Sequence, residues 1–119
     1  MRILIATFHF PPISGGGVVV IVDIINKLVE LGNDVTVITP ELDWSGEEYD
    51  PKINPKIKVI RTKTPHRSNI KIAARRCQSN IKEKMLEIGR KEQFDFIFTV
   101  FHPFHLVPKA AVESANKLN

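Results

Sequence analysis

The chain of 119 residues is expected to fold as an α/β domain with a Rossmann-like parallel sheet and helices on both faces. Two observations predict this class. Apolar runs of strand length alternate with longer segments whose apolar residues recur every three or four positions. The segments follow the order strand, helix, strand, strand, helix, strand, helix, which predicts the strand order 3-2-1-4. The sequence stops on a helix where a further strand is expected, so residues 1–119 are interpreted as one incomplete domain.

The first half contains two strands and a helix. Arg2–Phe8 is a continuous apolar run, typical of a strand covered on both faces. Val18–Leu31 is long for a strand, and its polar residues fall on one stripe, so it is predicted to be a helix, mostly buried, with only that stripe exposed. The stripe consists of Asp23, Asn26, Lys27 and Glu30. Gly32 and Asn33 are predicted to end this helix, and Asp34–Pro40 is predicted to be the next strand.

The second half begins with an irregular loop rich in turn-forming residues. Ile57–Thr62 alternates like a short strand near a sheet edge. Over Ser68–Arg90 the apolar residues form one face of a long helix with basic residues on the other faces. Phe94–Phe101 is a fourth, very apolar strand, and a last helix begins near His105 or Pro108.

Composition is that of an ordinary single globular domain, with 43% hydrophobic and 25% charged residues. No apolar run approaches the roughly 20 residues that a membrane span needs. The single Cys77 forms no internal disulfide, which suits a reducing, cytoplasmic setting, and it is predicted to be a small apolar core residue.

Charge is distributed unevenly along the chain. Residues 1–51 carry a net charge of −6, whereas residues 52–92 carry +10. A basic middle segment is compatible with an anionic partner, and equally with a solvated face. No nucleic-acid module is recognised, so nucleic acid is not expected as a partner.

Three consecutive glycines, Gly15, Gly16 and Gly17, follow the first strand and open the first helix. Ligands of such sheets bind at the carboxyl ends of the strands, beside the point where the strand order reverses. Backbone amides without a Cβ in the way, at the positive end of a helix, suit phosphate or carboxylate. The alternative is a glycine turn required for tight packing of helix on strand. The dinucleotide fingerprint fits Gly15 and Gly17 but has Val20 where its third glycine belongs, and the Walker pattern is absent.

The stretch from Phe10 to Pro40, FPPISGGGVVVIVDIINKLVELGNDVTVITP, resembles the start of the family-four retaining glycosyltransferases of the GT-B fold. The matching positions are Pro12, Gly15, Gly16, Leu28, Gly32, Val35, Val37 and Thr39, without a gap. FDFIFTVFHPF looks like a later strand of the family, which runs into a loop with His or Ser and Pro. The chain differs in having valines directly after the glycines, where the family often has Glu, Arg or His.

This resemblance implies an acceptor-side domain that faces a donor-binding domain, absent here, across a cleft. The partners would be a nucleotide-sugar and a glycan or lipid-linked acceptor. Gly15 and Gly16, with Gly17 beside them, would bind the donor diphosphate. His102 and His9 are candidates for the acceptor side of the cleft. No cofactor and no metal are implied, and the chain alone is expected to be inactive.

Lipid-linked acceptors also imply peripheral contact with the inner face of a membrane. The predicted basic face consists of Arg67, Lys71, Arg75, Arg76 and Lys82. Other functions remain open: a stand-alone α/β module that binds a nucleotide or another anion, and a fragment of a dinucleotide-dependent oxidoreductase. An uncovered edge strand would also favour self-association.

Overall fold

A computed structural model describes residues 1–41, 46–63, 70–100 and 107–118 of the protein; for residues 70–74 and 107 it describes the backbone. The predicted elements appear in the predicted order. They are β1 Arg2–Ala6, α1 Gly16–Glu30, β2 Asp34–Pro40, β3 Lys58–Thr62, α2 Ile70–Lys91, β4 Phe96–Thr99 and α3 Val107–Leu118. Strand β2 has the predicted bounds, whereas β1 and β4 are shorter than predicted.

The four described strands form one parallel sheet in the order β3-β2-β1-β4, which confirms the predicted fold class and topology. Strand β1 pairs on one side with β2, where Ile3 lies beside Val35, and on the other side with β4, where Ile3 lies beside Phe96. Strand β3 lies at an edge, as its alternating sequence predicts. The strand order reverses between β1 and β4.

Each face of the sheet carries its own hydrophobic core. Successive side chains of a strand point to opposite faces. Ile5 of β1 therefore packs under α1 with Ile25, while the neighbouring Leu4 packs with Ile81 and Met85 of α2 on the other face. Helix α3 lies on the same face as α2. The continuous apolar run of β1 thus has the two-sided burial that the sequence predicts, and Cys77 of α2 is buried as predicted.

Helix α1 differs from its prediction in two respects. It begins at Gly16, two residues before Val18, and it is not mostly buried. Val20, Ile24 and Leu31 are 57%, 36% and 69% exposed. The helix rests on the sheet along one side, so apolar residues outside that arc meet solvent together with the polar stripe.

Asn26, which the sequence places on the exposed stripe, holds the chain before β3. Its side-chain amide donates to the Lys52 carbonyl at 2.9 Å, and its side-chain oxygen accepts from the Asn54 amide at 2.9 Å. One flank of α1 is thereby fixed towards β3.

The end of α1 follows the sequence closely. Gly32 has a φ of 87°, which favours glycine because a Cβ strains the backbone there. The Gly32 amide donates to the Val29 carbonyl at 2.9 Å and the Asn33 amide to the Leu28 carbonyl at 3.2 Å. This pair of bonds is a Schellman motif, which satisfies carbonyls that the helix leaves unpaired.

Strand β4 is shorter than its apolar sequence predicts. It pairs with β1 from Phe96 to Thr99, opposite Ile3 to Ala6. Phe96 and Phe98 are 59% and 40% exposed, because among the described elements nothing covers β4 on the α1 side of the sheet. The length of β4 follows from its partner β1 rather than from its own composition.

An ion pair joins α2 to α3. The Lys82 ammonium donates to the Glu113 carboxylate, and this hydrogen bond lowers the pKa of Glu113 below its ordinary 4.5. Hydrogen bonds from Lys84 and Lys91 lower the pKa of Glu87 in the same direction. A carboxyl group with a lower pKa in the folded state stabilises the fold above its unfolded pKa, and this contribution is lost as the pH falls through the folded pKa.

We expect Glu113→Gln to weaken the loss of stability in acid, because the variant has no carboxylate to protonate at the α2–α3 contact. Urea unfolding at pH values from about 7 to about 3 measures the effect. Glu83→Gln is the matched control, since Glu83 is an exposed glutamate of α2 outside this ion pair. If both variants lose stability as steeply as the native chain, the ion pair does not couple α3 to pH.

Candidate functional site

The candidate site lies at the carboxyl edge of the sheet, where the chain leaves β1 and enters α1. Residues 7–15 form the connecting loop, and β4 ends beside β1 at the same edge. The site therefore adjoins the reversal of strand order, where ligands of open parallel sheets bind.

Hydrogen bonds tie the start of the loop to the sheet. The Thr7 amide donates to the Ile38 carbonyl at 3.1 Å, which continues the β1–β2 pairing by one residue. The Thr7 hydroxyl donates to the His9 carbonyl at 3.0 Å. These bonds set the direction in which the chain leaves the sheet.

Phe10 and Arg61 hold the middle of the loop. Phe10 is 1% exposed and packs in the core beneath α1. The Arg61 guanidinium, at the carboxyl end of β3, lies 5.8 Å from the centre of the Phe10 ring and donates a hydrogen bond to the Pro11 carbonyl. A cation over an aromatic face adds attraction to this contact. One side chain of an edge strand thus braces the loop that leads to the glycines.

A second segment braces the loop from outside. The Tyr49 amide donates to the Pro12 carbonyl at 2.8 Å, and Ile13 forms an isolated antiparallel bridge with Glu48. The loop is therefore held from both sides before it reaches Gly15.

The glycines themselves present backbone amides. Gly15 is the N-cap of α1, and its carbonyl accepts from the amides of Val18 and Val19 at 3.1 and 3.2 Å. The cap has no side-chain hydrogen bond, and within the described part of the chain the amides of Gly16 and Gly17 find no protein acceptor. These are donors that a helix start leaves unpaired by its geometry.

Packing does not explain the glycines at Gly16 and Gly17. Among the described residues, no heavy atom outside the adjoining backbone lies within 4 Å of the position that a Cβ would take at either glycine, and at Gly15 the nearest is a Val18 methyl group at 4.0 Å. All three glycines are exposed. The tract therefore keeps an open approach to the first amides of α1.

The start of α1 itself favours an anion. The positive end of the α1 dipole lies here, and the first turn of the helix contains no acidic residue. Arg61 adds a positive charge against the same loop. Phosphate or carboxylate oxygens are the groups that such a helix start binds.

The structure describes one of the two candidate histidines. His9 follows β1 and is half-buried, with its ring edge-on to Phe8 at 5.1 Å between centroids. His102 lies outside the described residues.

The predicted basic face is described in part. Arg75 and Arg76 are exposed on α2, whereas Lys82 is half-buried and engaged with Glu113 of α3. Arg67 and the side chain of Lys71 lie outside the described residues. Contact of this face with an acidic membrane stays a prediction, for which co-sedimentation with acidic vesicles is the measurement.

Sequence reasoning missed Arg61. The sequence shows a basic residue near the end of a predicted edge strand, but its contact with Pro11 spans 50 residues along the chain. The predicted strand order did contain a signal. It places this positive charge at the carboxyl end of a strand, two strands away from the glycine loop.

Across residues 1–41, 46–63, 70–100 and 107–118, no group of three or more His, Cys, Asp or Glu side chains converges as a metal site would require. No helix within these ranges has the length and hydrophobicity that crossing a bilayer demands. No protein-family model matches the chain, and no curated protein matches its sequence.

Proposed function

We propose that this chain is the acceptor-side, N-terminal domain of a glycosyltransferase that moves a sugar from a nucleotide-sugar to an acceptor hydroxyl. In this proposal the glycine tract binds the donor diphosphate, and a second domain supplies the rest of the donor site. The resemblance of residues 10–40 to the family-four glycosyltransferases suggests the reaction. The observation that supports it best is the opening at the start of α1, where within the described residues the amides of Gly16 and Gly17 have no acceptor and no neighbouring side chain fills the space that a Cβ would take.

The chemistry of the site agrees with such a role. When a glycosidic bond to a nucleoside diphosphate breaks, negative charge grows on the leaving diphosphate. Fixed backbone donors that already point at this charge stabilise the transition state without reorganising. The loop is suited to this task because Phe10, Arg61 and Tyr49 hold it in place before the ligand arrives.

The residues of the proposal have separate tasks. The amides of Gly16 and Gly17 donate to phosphate oxygens, and the side-chain-free Gly15 leaves room at the helix cap. His9 and His102 remain candidates for contact with the acceptor. Peripheral attachment through Arg75 and Arg76 would bring a lipid-linked acceptor to the cleft.

An NMR titration of the chain tests the binding step. The ¹⁵N-labelled protein is titrated with pyrophosphate, UDP, GDP and NAD⁺, with chloride as the ionic-strength control. We expect pyrophosphate and the nucleoside diphosphates to shift the amide resonances of Gly16 and Gly17 first, because these donors have no acceptor in the part of the chain that the structure describes. Failure of every diphosphate to shift these amides at millimolar concentration would contradict the proposal.

The same titration separates the alternative functions. If NAD⁺ alone shifts the glycine amides, the chain is a fragment of a dinucleotide-dependent enzyme. If pyrophosphate, UDP and NAD⁺ shift them equally, the anion site is unselective, which favours the stand-alone binding module. Preference for a nucleoside diphosphate supports the glycosyltransferase proposal.

A further inference from the structure

The outer edge of β3 is open in the part of the chain that the structure describes. Strand β3 pairs with β2 on one side, and the amide of Glu41, which follows β2, donates to the Thr62 carbonyl at 2.8 Å. Successive residues of a strand direct their N–H and C=O groups alternately to its two sides. The main-chain groups of Val59 and Arg61 therefore point away from β2, and among the described residues no partner binds them.

Helix α2 reaches the end of this edge. The Asn80 side-chain amide donates to the Lys63 carbonyl at 2.9 Å, and Lys63 follows Val59 and Arg61 in the outward-facing row. The edge thus already accepts a hydrogen bond from outside the sheet at one position. Further back along the strand, the backbone groups of Arg61 and Val59 are left for another partner.

The same edge is strongly basic. From residue 51 to residue 63 the chain has five cationic residues and no acidic one. All five are exposed, and they are Lys52, Lys56, Lys58, Arg61 and Lys63. Lys58 lies 3.8 Å from a carboxylate oxygen of Glu92, whose other oxygen binds Arg2 more closely, at 3.0 Å. The Arg61 guanidinium binds a neutral carbonyl. Most of this positive charge is therefore not neutralised by the described residues.

Cations lie on both faces of the sheet along this edge. Lys58 has the same orientation in the strand as Ile60, which packs on the α2 face, whereas Arg61 lies on the α1 face beside Phe10. A strand added next to β3 would meet a cation on either face. A second copy of β3 is a poor partner, because two such edges would place like charges opposite each other.

We propose that the β3 edge binds an extended acidic peptide, which adds a strand to the sheet. Main-chain hydrogen bonds to Val59 and Arg61 hold the peptide, and its carboxylates lie beside Lys58 and Arg61. Single-stranded nucleic acid fits this edge less well. It binds through stacking on aromatic side chains as well as through charge, and residues 51–63 contain no aromatic residue.

An NMR titration of the full ¹⁵N-labelled chain tests the proposal. The probe is a blocked octapeptide of alternating Glu and Val. We expect it to shift the amide resonances of Val59 and Arg61 and to slow the exchange of these amides with solvent. An octapeptide of alternating Glu and Pro has the same charge but lacks every second N–H, so it should bind at least about fivefold more weakly. An octapeptide of alternating Lys and Val should not bind.

Variants of the chain separate charge from strand pairing. Lys58→Glu and Lys63→Glu are each expected to weaken binding of the Glu-Val peptide about fivefold, because repulsion replaces attraction. Lys117→Glu is the matched control, since it makes the same charge change at an exposed residue of α3, which packs beside β4 and β1. Val59→Pro removes one outward N–H and should weaken the Glu-Val peptide more than the Glu-Pro peptide. Circular dichroism verifies that each variant is folded.

Three outcomes would overturn the proposal. Equal affinity for the Glu-Val and Glu-Pro peptides would show that charge alone explains the binding. Tighter binding of an oligothymidylate than of the Glu-Val peptide would assign the edge to nucleic acid. No shift of Val59 and Arg61 at millimolar peptide would show that the basic edge is a solvated surface. None of these results depends on what the glycine tract binds.

Discussion

The double variant Gly16→Ala, Gly17→Ala is expected to be more stable than the native chain and to lose its affinity for pyrophosphate. Both glycines lie in the first turn of α1, where no described residue beyond the adjoining backbone comes within 4 Å of the position that a Cβ would take. Alanine is favoured over glycine in a helix by up to about 1 kcal/mol per residue. Near a helix end the gain is smaller, so we expect about 1 kcal/mol in total, which raises the Tm by roughly 4 °C.

The same methyl groups would stand where a ligand must approach. An oxygen within hydrogen-bond distance of an amide comes close to the Cβ of that residue, and glycine removes this obstacle. We expect pyrophosphate affinity to fall at least tenfold, about 1.4 kcal/mol in binding free energy. Calorimetric titration and thermal unfolding of the same samples measure the two opposite effects.

Gly32→Ala is the control for this pair of measurements. Gly32 has a φ of 87°, so alanine there strains the backbone and lowers stability by about 1 kcal/mol. It lies at the far end of α1, where pyrophosphate binding should not change. Unchanged affinity in the double alanine variant would show that the glycine amides are not the donors.

The sequence predicts the elements that local patterns determine. The bounds of β2, the stop at Gly32 and the parallel order of strands follow from apolar runs, turn residues and the alternation of strands and helices. The apolar run that begins at Val18 predicts a helix from that residue, with the glycines directly before it. The structure begins the helix at Gly16, and Val18, Ile21 and Val22 of its first two turns pack on the sheet.

A local sequence pattern does not predict contacts between segments that are distant along the chain. The role of Asn26 as a tether depends on the backbone of residues 52–54, and that of Arg61 on the carbonyl of Pro11. The exposure of Ile24 and Phe96 depends on which elements cover α1 and β4, and hydrophobicity alone does not give that. The signal of the glycine tract is local, whereas Arg61 and Tyr49, which brace the loop before it, are distant in sequence.

Replacing Phe10 by alanine is expected to have the largest effect on stability. Phe10 is 1% exposed, and removal of a buried aromatic side chain costs about 3–5 kcal/mol through lost burial and the cavity that remains. A domain of this size has roughly 5–15 kcal/mol of stability, so the variant should unfold at a much lower urea concentration. Phe10→Leu keeps most of the apolar volume and is expected to lose less.

Arg61→Leu separates the bracing of the loop from the integrity of the core. Arg61 contacts the Phe10 ring and the Pro11 carbonyl from an exposed position, so its loss is expected to cost only about 1 kcal/mol. The glycine amides would then sit on a loop that is held at fewer points and lacks a nearby positive charge. We therefore expect weaker pyrophosphate binding with near-native stability, measured by titration alongside urea unfolding. If Arg61→Leu binds pyrophosphate like the native chain, the amides at the start of α1 act without the brace, and the helix end alone accounts for the site.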